Sequence, residues 1–173
     1  MHMIIRNIVY ADSESNALSS AKTNFEELCN GQEIFDYYDM FDNGGTSYWG
    51  AKYPAIANIK SVLGRKMVVD GWKATLRGIR HHLKKIKKVI NSCKFIDLLE
   101  DDLTQHDFYS IGEYRGSSCW LYDDDARGIK RRSHLNSVLD RWEDTYKNHH
   151  NFADDEWKYK DLDVYIVPAD VHY

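Results

Sequence analysis

Between residues 106 and 134 the chain gathers the side chains from which enzymes build sites. They include His106, Glu113, Cys119, Asp123, Asp124, Asp125, Arg127, Lys130, Arg131, Arg132 and His134. Three chemistries can be assembled from them. A metal-assisted hydrolase would take Glu113 and the Asp123 to Asp125 run as hard oxygen ligands, with His106 or His134 beside them. Consecutive carboxylates point in different directions, however, so at most one or two converge. The run also lacks the Gly and Glu positions of an EF-hand loop. Asp is a favoured turn residue, so a turn is the preferred reading and no metal is expected. A nucleophilic site would pair Cys119 with His106 or His134. Ser-Ser-Cys-Trp-Leu carries no local signature of such a site and reads as buried strand. A metal-free phosphodiesterase or ribonuclease would use His106 and His134 as acid and base, with Arg127, Arg131 or Arg132 holding phosphate. If the chain catalyses anything, His106, Glu113 and His134 are the residues to carry it. Catalysis is not the preferred expectation.

Other fingerprints are missing. The glycines form neither GxGxxG nor GxxxxGK[ST], and there is no HExxH or GxSxG, so no cofactor is expected. Cys29, Cys93 and Cys119 make no CxxC pair. Sparse, odd-numbered cysteines suit a reducing cytoplasm. No signal-like segment and no apolar run of about 20 residues is present, so no membrane association is expected.

Charge is distributed unevenly. The 173 residues carry 23 Lys and Arg against 27 Asp and Glu, a net −4. Residues 1–59 sum to −5, residues 60–94 to +10 and residues 95–173 to −9. The average argues against a uniformly basic nucleic-acid coater, but the middle segment does not. Lys73, Arg77, Arg80, Lys84, Lys85, Lys87 and Lys88 all fall there, with His81 and His82 among them. Such a run is a phosphate track or a plain solvated helix face. Arg127, Arg131 and Arg132 extend the candidate binding set. On the loop from Thr46 to Pro54, Tyr48 and Trp49 are candidate interface anchors, since aromatic side chains bury large area at low entropy cost.

The elements that must position these residues follow from periodicity. Met3 to Tyr10 is Ile- and Val-rich and reads as a strand. Asp12 and Ser13 are capping types ahead of a helix through Ala17, Leu18, Ala21, Phe25 and Leu28, stopped near Gly31. Ile34 to Phe41 reads as a second strand. From Val68 to Ile90 the clearest signal appears: Trp72, Leu76, Ile79, Leu83, Ile86 and Ile90 are spaced 4, 3, 4, 3, 4. That is one apolar stripe on a long basic helix. A short helix over 95–103, strands over 108–114 and 118–122, a helix capped by Ser133, and a final strand from Leu162 to Val167 complete the order β-α-β-α-α-β-β-α-β. Pro168 is read as the end of that strand, and the tail beyond it as frayed, the alternative being a tail that packs back over the sheet and places Asp170 and His172 near it. Met1-His2-Met3 has the look of a cloning junction, which sets His2 outside any site.

The expected fold is therefore one α+β domain over residues 1–173, a mixed or antiparallel sheet of about five strands with helices on one face. The first βαβ is expected to be a split unit with another strand inside it. The expected function is that of a cytoplasmic interaction protein that binds and modulates a macromolecular partner. That partner would be a protein, with a nucleic-acid-processing complex as one form of it. Accessory and anti-defence inhibitor proteins of phages and mobile elements are the class in view. The alternative is a nucleic-acid binder, or a nuclease with or without metal, using the basic helix 73–88 and the 106–134 region.

Overall fold

β1 (His2–Ala11) and β5 (Asp163–His172) form the spine of the molecule, paired antiparallel over ten residues each. The computed structural model describes residues 2–41, 47–48, 50–92, 119–147 and 162–172. Along β1, Met3, Ile5, Val9 and Ala11 enter one apolar cluster while Ile8 and Tyr10 enter another. Strand side chains alternate between faces, so a strand buried along nearly its whole length must be covered on both. α1 (Glu14–Glu26), extended by a π turn to Gly31, covers the first face with Ala17, Ala21, Phe25 and Leu28. α2 (Val62–Ser92) and α3 (Arg132–Lys147) cover the second with Met67, Val68, Leu135 and Val138. Each fully buried side chain of Ile or Phe size contributes roughly 2 kcal/mol. Helices on a single face were expected. The apolar load on both faces of β1 and β5 requires two layers instead.

The sheet is mixed and five-stranded. β2 (Tyr37–Met40), β5, β1 and β4 (Leu121–Tyr122) lie in that order, and β3 (Ala57–Asn58) pairs with β5 beside β2. β4 is parallel to β1, whereas β1, β2 and β3 each run antiparallel to β5. β1-α1-β2 is thus a split unit with β5 between its strands. The final strand does not end at Pro168. It runs to His172, and Pro168 falls in the gap on one edge of β5 between the β3 pairing at Ile166 and the β2 pairing at Ala169. A residue with no N–H is tolerated where a strand lacks a neighbour.

Local signals explain the helix ends. Ser13 Oγ accepts from Asn16 N at 3.3 Å and starts α1. Ser61 Oγ accepts from Gly64 N at 2.9 Å, so α2 begins six residues earlier than its apolar stripe suggests. The short strand β3 was not expected. The expected helix 95–103 and strand 108–114 lie outside the described residues.

The stripe itself differs from expectation. Among the described side chains of α2 the buried residues are Gly64, Met67, Val68, Gly71 and Thr75. Trp72, Leu76, Ile79 and Ile86 are only half-buried, and Leu83 is exposed. The helix approaches the sheet along its glycines: a side chain on Gly71 would meet Arg6, Leu121 and Trp120 at 3.2 to 3.4 Å. Close approach through Gly64 and Gly71 turns a different face inward from the one that is richest in Leu and Ile.

Candidate functional site

The Asp123 to Asp125 run is the turn after β4. Asp123 Oδ1 accepts from the backbone N–H of Asp125 at 3.0 Å and of Arg127 at 2.8 Å. Its other oxygen meets His134 Nε2 at 2.8 Å. Asn7 Nδ2 donates to the Asp123 carbonyl, and Asn24 Nδ2 donates to Asn7 Oδ1 and to the Asp124 carbonyl. A buried polar chain from β1 and α1 therefore fixes the turn, and the turn fixes His134. Asp125 lies at the surface and pairs with Arg127 at 3.2 Å. With Asp123 turned inward and Asp125 outward, the carboxylates do not converge. Among the described residues no three His, Cys, Asp or Glu side chains are placed to hold a metal ion.

His134 opens onto a cleft of about 570 Å³ lined by Gly128, Lys130, Arg131, Ser133, His134 and Ser137. Arg131 and Arg132 are exposed, and Lys130 is half-buried. Burial pulls the Lys130 pKa below the usual lysine value, against an upward pull from Cys119. Ser133 does not cap α3 as expected. It is the second residue of the helix, and Arg131, which precedes the helix and offers no side-chain acceptor, accepts Leu135 N through its carbonyl at 3.0 Å. The first turn of α3 thus adds backbone N–H groups and a positive dipole end to a cleft already lined by two cations and two hydroxyls. Such a lining suits a phosphate group.

Lys73, Arg77, Arg80, Lys84, Lys85, Lys87 and Lys88 are all exposed on α2. None of Lys73, Arg77, Arg80, Lys84, Lys85 and Lys87 pairs with a carboxylate among the described residues. The helix and the cleft are joined through the core. Thr75 Oγ1 on α2 accepts from Trp120 N at 3.0 Å. Gly128, on the cleft wall, packs so closely on Cys119 that a side chain there would meet its Sγ at 2.8 Å. Trp120 and Cys119, adjacent in the chain, thus link α2 to the cleft wall through the interior. Cys119 is fully buried, and burial pushes its thiol pKa up, which leaves it a packing residue rather than a nucleophile.

Of the expected catalytic residues, only His134 can be placed, in the cleft. His106 and Glu113 lie outside the described residues, as does Trp49. Tyr48 is 71% exposed. Its ring stacks on His2 at 4.0 Å, and its backbone N–H donates to Asp170 Oδ2 at 2.6 Å.

That contact belongs to a cluster the sequence reading set aside. His2 Nδ1 lies 3.2 Å from Asp170, and His172 Nδ1 lies 2.7 Å from Asp36. The two imidazole rings are 5.0 Å apart, and Tyr37 stacks on His172. Pairing of His2 with His172 at the ends of β1 and β5 brings the group together. A signal was available in the chain: Ala169, Val171 and Val167 continue the strand alternation straight through Pro168.

Over residues 1–173 the chain matches the model of a family described as a domain of unknown function (DUF7995), and it belongs to that family. No curated protein and no solved structure matches it.

Proposed function

We propose that this DUF7995 member is a cytoplasmic, non-enzymatic interaction protein that engages phosphate-bearing macromolecules, nucleic acid foremost, through the α3 cleft and the outward cations of α2. The observation that carries the reading is the lining of the α3 cleft, where Lys130, Arg131, Ser133 and Ser137 meet the first turn of the helix. The cleft suits one phosphate, and Arg77, Lys84, Lys85 and Lys88, exposed on α2, supply a second set of cations for a phosphate backbone. His134, aimed by Asp123, offers a further ring nitrogen to a phosphate oxygen. The same surface fits a protein that attaches to a nucleic-acid-processing complex through the nucleic acid it holds, which is how a small accessory protein modulates such machinery.

Binding without catalysis is favoured because Asp123 spends both oxygens within the turn and on His134, so the pair reads as a positioned contact. Cytoplasmic residence accords with the free thiols of Cys29 and Cys119. No helix among the described residues is long and apolar enough to cross a membrane.

Fluorescence anisotropy with a short labelled DNA duplex and an RNA of the same length, over a salt series, tests the reading. Affinity should fall steeply with salt. Lys84→Glu with Lys85→Glu, and separately Arg131→Glu, should each weaken it. Absence of binding at low salt, or binding that ignores salt, removes nucleic acid as the partner.

A further inference from the structure

The apolar residues of α2 repeat every seven positions, in two columns beside its buried face. Val62, Val69, Leu76 and Leu83 form one column, and Trp72, Ile79 and Ile86 form the column beside it. Alternating steps of three and four are the spacing of a coiled-coil seam, which a helix presents to another helix. In this fold the core takes the seam only in part: Trp72 packs against it, and Trp72, Leu76, Ile79 and Ile86 are half-buried. Val62 is 84% exposed, Val69 46% and Leu83 45%, whereas Val68 and Thr75, immediately to one side, are buried against the sheet. Exposed large apolar residues aligned on one column mark a contact surface. From Val69 to Ile86 the seam is about 25 Å long, at about 1.5 Å per residue.

We propose that this seam docks an amphipathic helix of a partner protein whose flanking positions are acidic. The charge of the partner follows from what borders the seam. On the side away from the sheet lies the column Lys66, Lys73, Arg80 and Lys87, which is cationic throughout and exposed. Lys66 pairs with Asp70 at 3.0 Å, and Lys73, Arg80 and Lys87 have no carboxylate beside them among the described residues. In a coiled coil such flanking columns select the partner by opposite charge. A second copy of this chain fits poorly. A symmetric pair uses both flanking columns of each helix, and here the other column is turned into the molecule's own core at Val68 and Thr75. Two antiparallel copies would also set cationic columns against each other. A helix that lies along the seam and the exposed cationic column alone, with Glu or Asp facing the latter, satisfies both constraints. The flanking column differs from Lys84 and Lys85, used above to test nucleic-acid binding, so the two readings fail separately.

The test uses the full chain and two synthetic four-heptad peptides with Leu at both seam positions, one flanked by Glu and the other by Lys. By anisotropy the Glu peptide should bind at least about tenfold more tightly than the Lys peptide. Val69→Glu with Leu83→Glu should cost at least about tenfold in affinity for the Glu peptide. Lys73→Glu with Arg80→Glu and Lys87→Glu should reverse the preference between peptides. These three positions are exposed, so this variant carries the test if the seam variant melts early. Equal binding of both peptides, no binding of either, or unchanged binding by the variants overturns the proposal. So does sedimentation showing a dimer of the wild-type chain that Val69→Glu with Leu83→Glu dissolves, since the occupant is then a second copy.

Discussion

His134 with Asp123 and His2 with Asp170 are the same pair of residue types in opposite surroundings. At the α3 cleft the carboxylate is held by two backbone N–H groups, and the imidazole borders Lys130 and Arg131. At the strand ends the carboxylate is held by one backbone N–H, from Tyr48, and the imidazole is stacked on that residue's ring beside a second histidine. The first arrangement presents a ring nitrogen to a basic, anion-suited cleft. The second spends its rings on one another and on tyrosines, and ties β1, β2 and β5 together. A His–Asp contact alone therefore says little about function. What surrounds it decides.

The sharpest way to break this comparison is to remove the carboxylates. Asp123→Ala should lose about 3 kcal/mol of stability, because two backbone donors and His134 lose their acceptor in a buried site. Asp170→Ala should lose about 2 kcal/mol, since one backbone donor and one imidazole are left behind. Urea melts of both would measure the order, and a larger loss at Asp170 would make the strand-end cluster the more important brace. Next in size, His134→Gln should weaken DNA binding about threefold or more, as expected for one lost polar contact to phosphate. His172→Gln should leave DNA binding unchanged. Equal effects on DNA affinity would erase the distinction between the two regions. Smallest is Asp36→Asn, whose exposed pair with His172 should be worth less than about 0.5 kcal/mol in the same melts.

A buried charge on the α2 face offers another comparison with the cleft. Arg6 is buried, its Nε has no partner among the described residues, and its guanidinium lies 5.9 Å from the Tyr53 ring centre. Burial lowers its pKa, opposed by Tyr53 and Asp70. Arg6→Met should keep the fold and raise stability by about 1 kcal/mol, since an apolar side chain of similar length avoids the desolvation cost. Loss of stability on a thermal melt would assign Arg6 a bracing role instead.

Several elements were legible because their signals are local. Ser13 and the 17–28 periodicity fix α1, the Ile and Val run fixes β1, and Asp-Asp-Asp marks its turn. The unread parts were those where one local signal competed with distant contacts. Pro168 suggested an end, but β5 is paired on its other edge with β1 through that point. Ser133 suggested a cap, but α3 begins one residue earlier, at Arg132. His134 was a candidate by type alone. Its orientation required Asp123, and Asp123 required Asn7 and Asn24 from the far end of the chain.

The chain by itself determined the kinds of element, the concentration of positive charge on one long helix, and a heptad seam along that helix. Each depends on spacing within a few turns, which neighbours along the backbone set. Tertiary structure alone decided which side of α2 faces the sheet. The helix carries two usable faces, and close approach over Gly64 and Gly71 buries the one with fewer large apolar residues, leaving the Leu and Ile stripe half-buried at its edge. The meeting of His134 with Asp123, and of His2 with Asp170, was decided the same way, because strand order and register bring distant residues together, and no local periodicity encodes them.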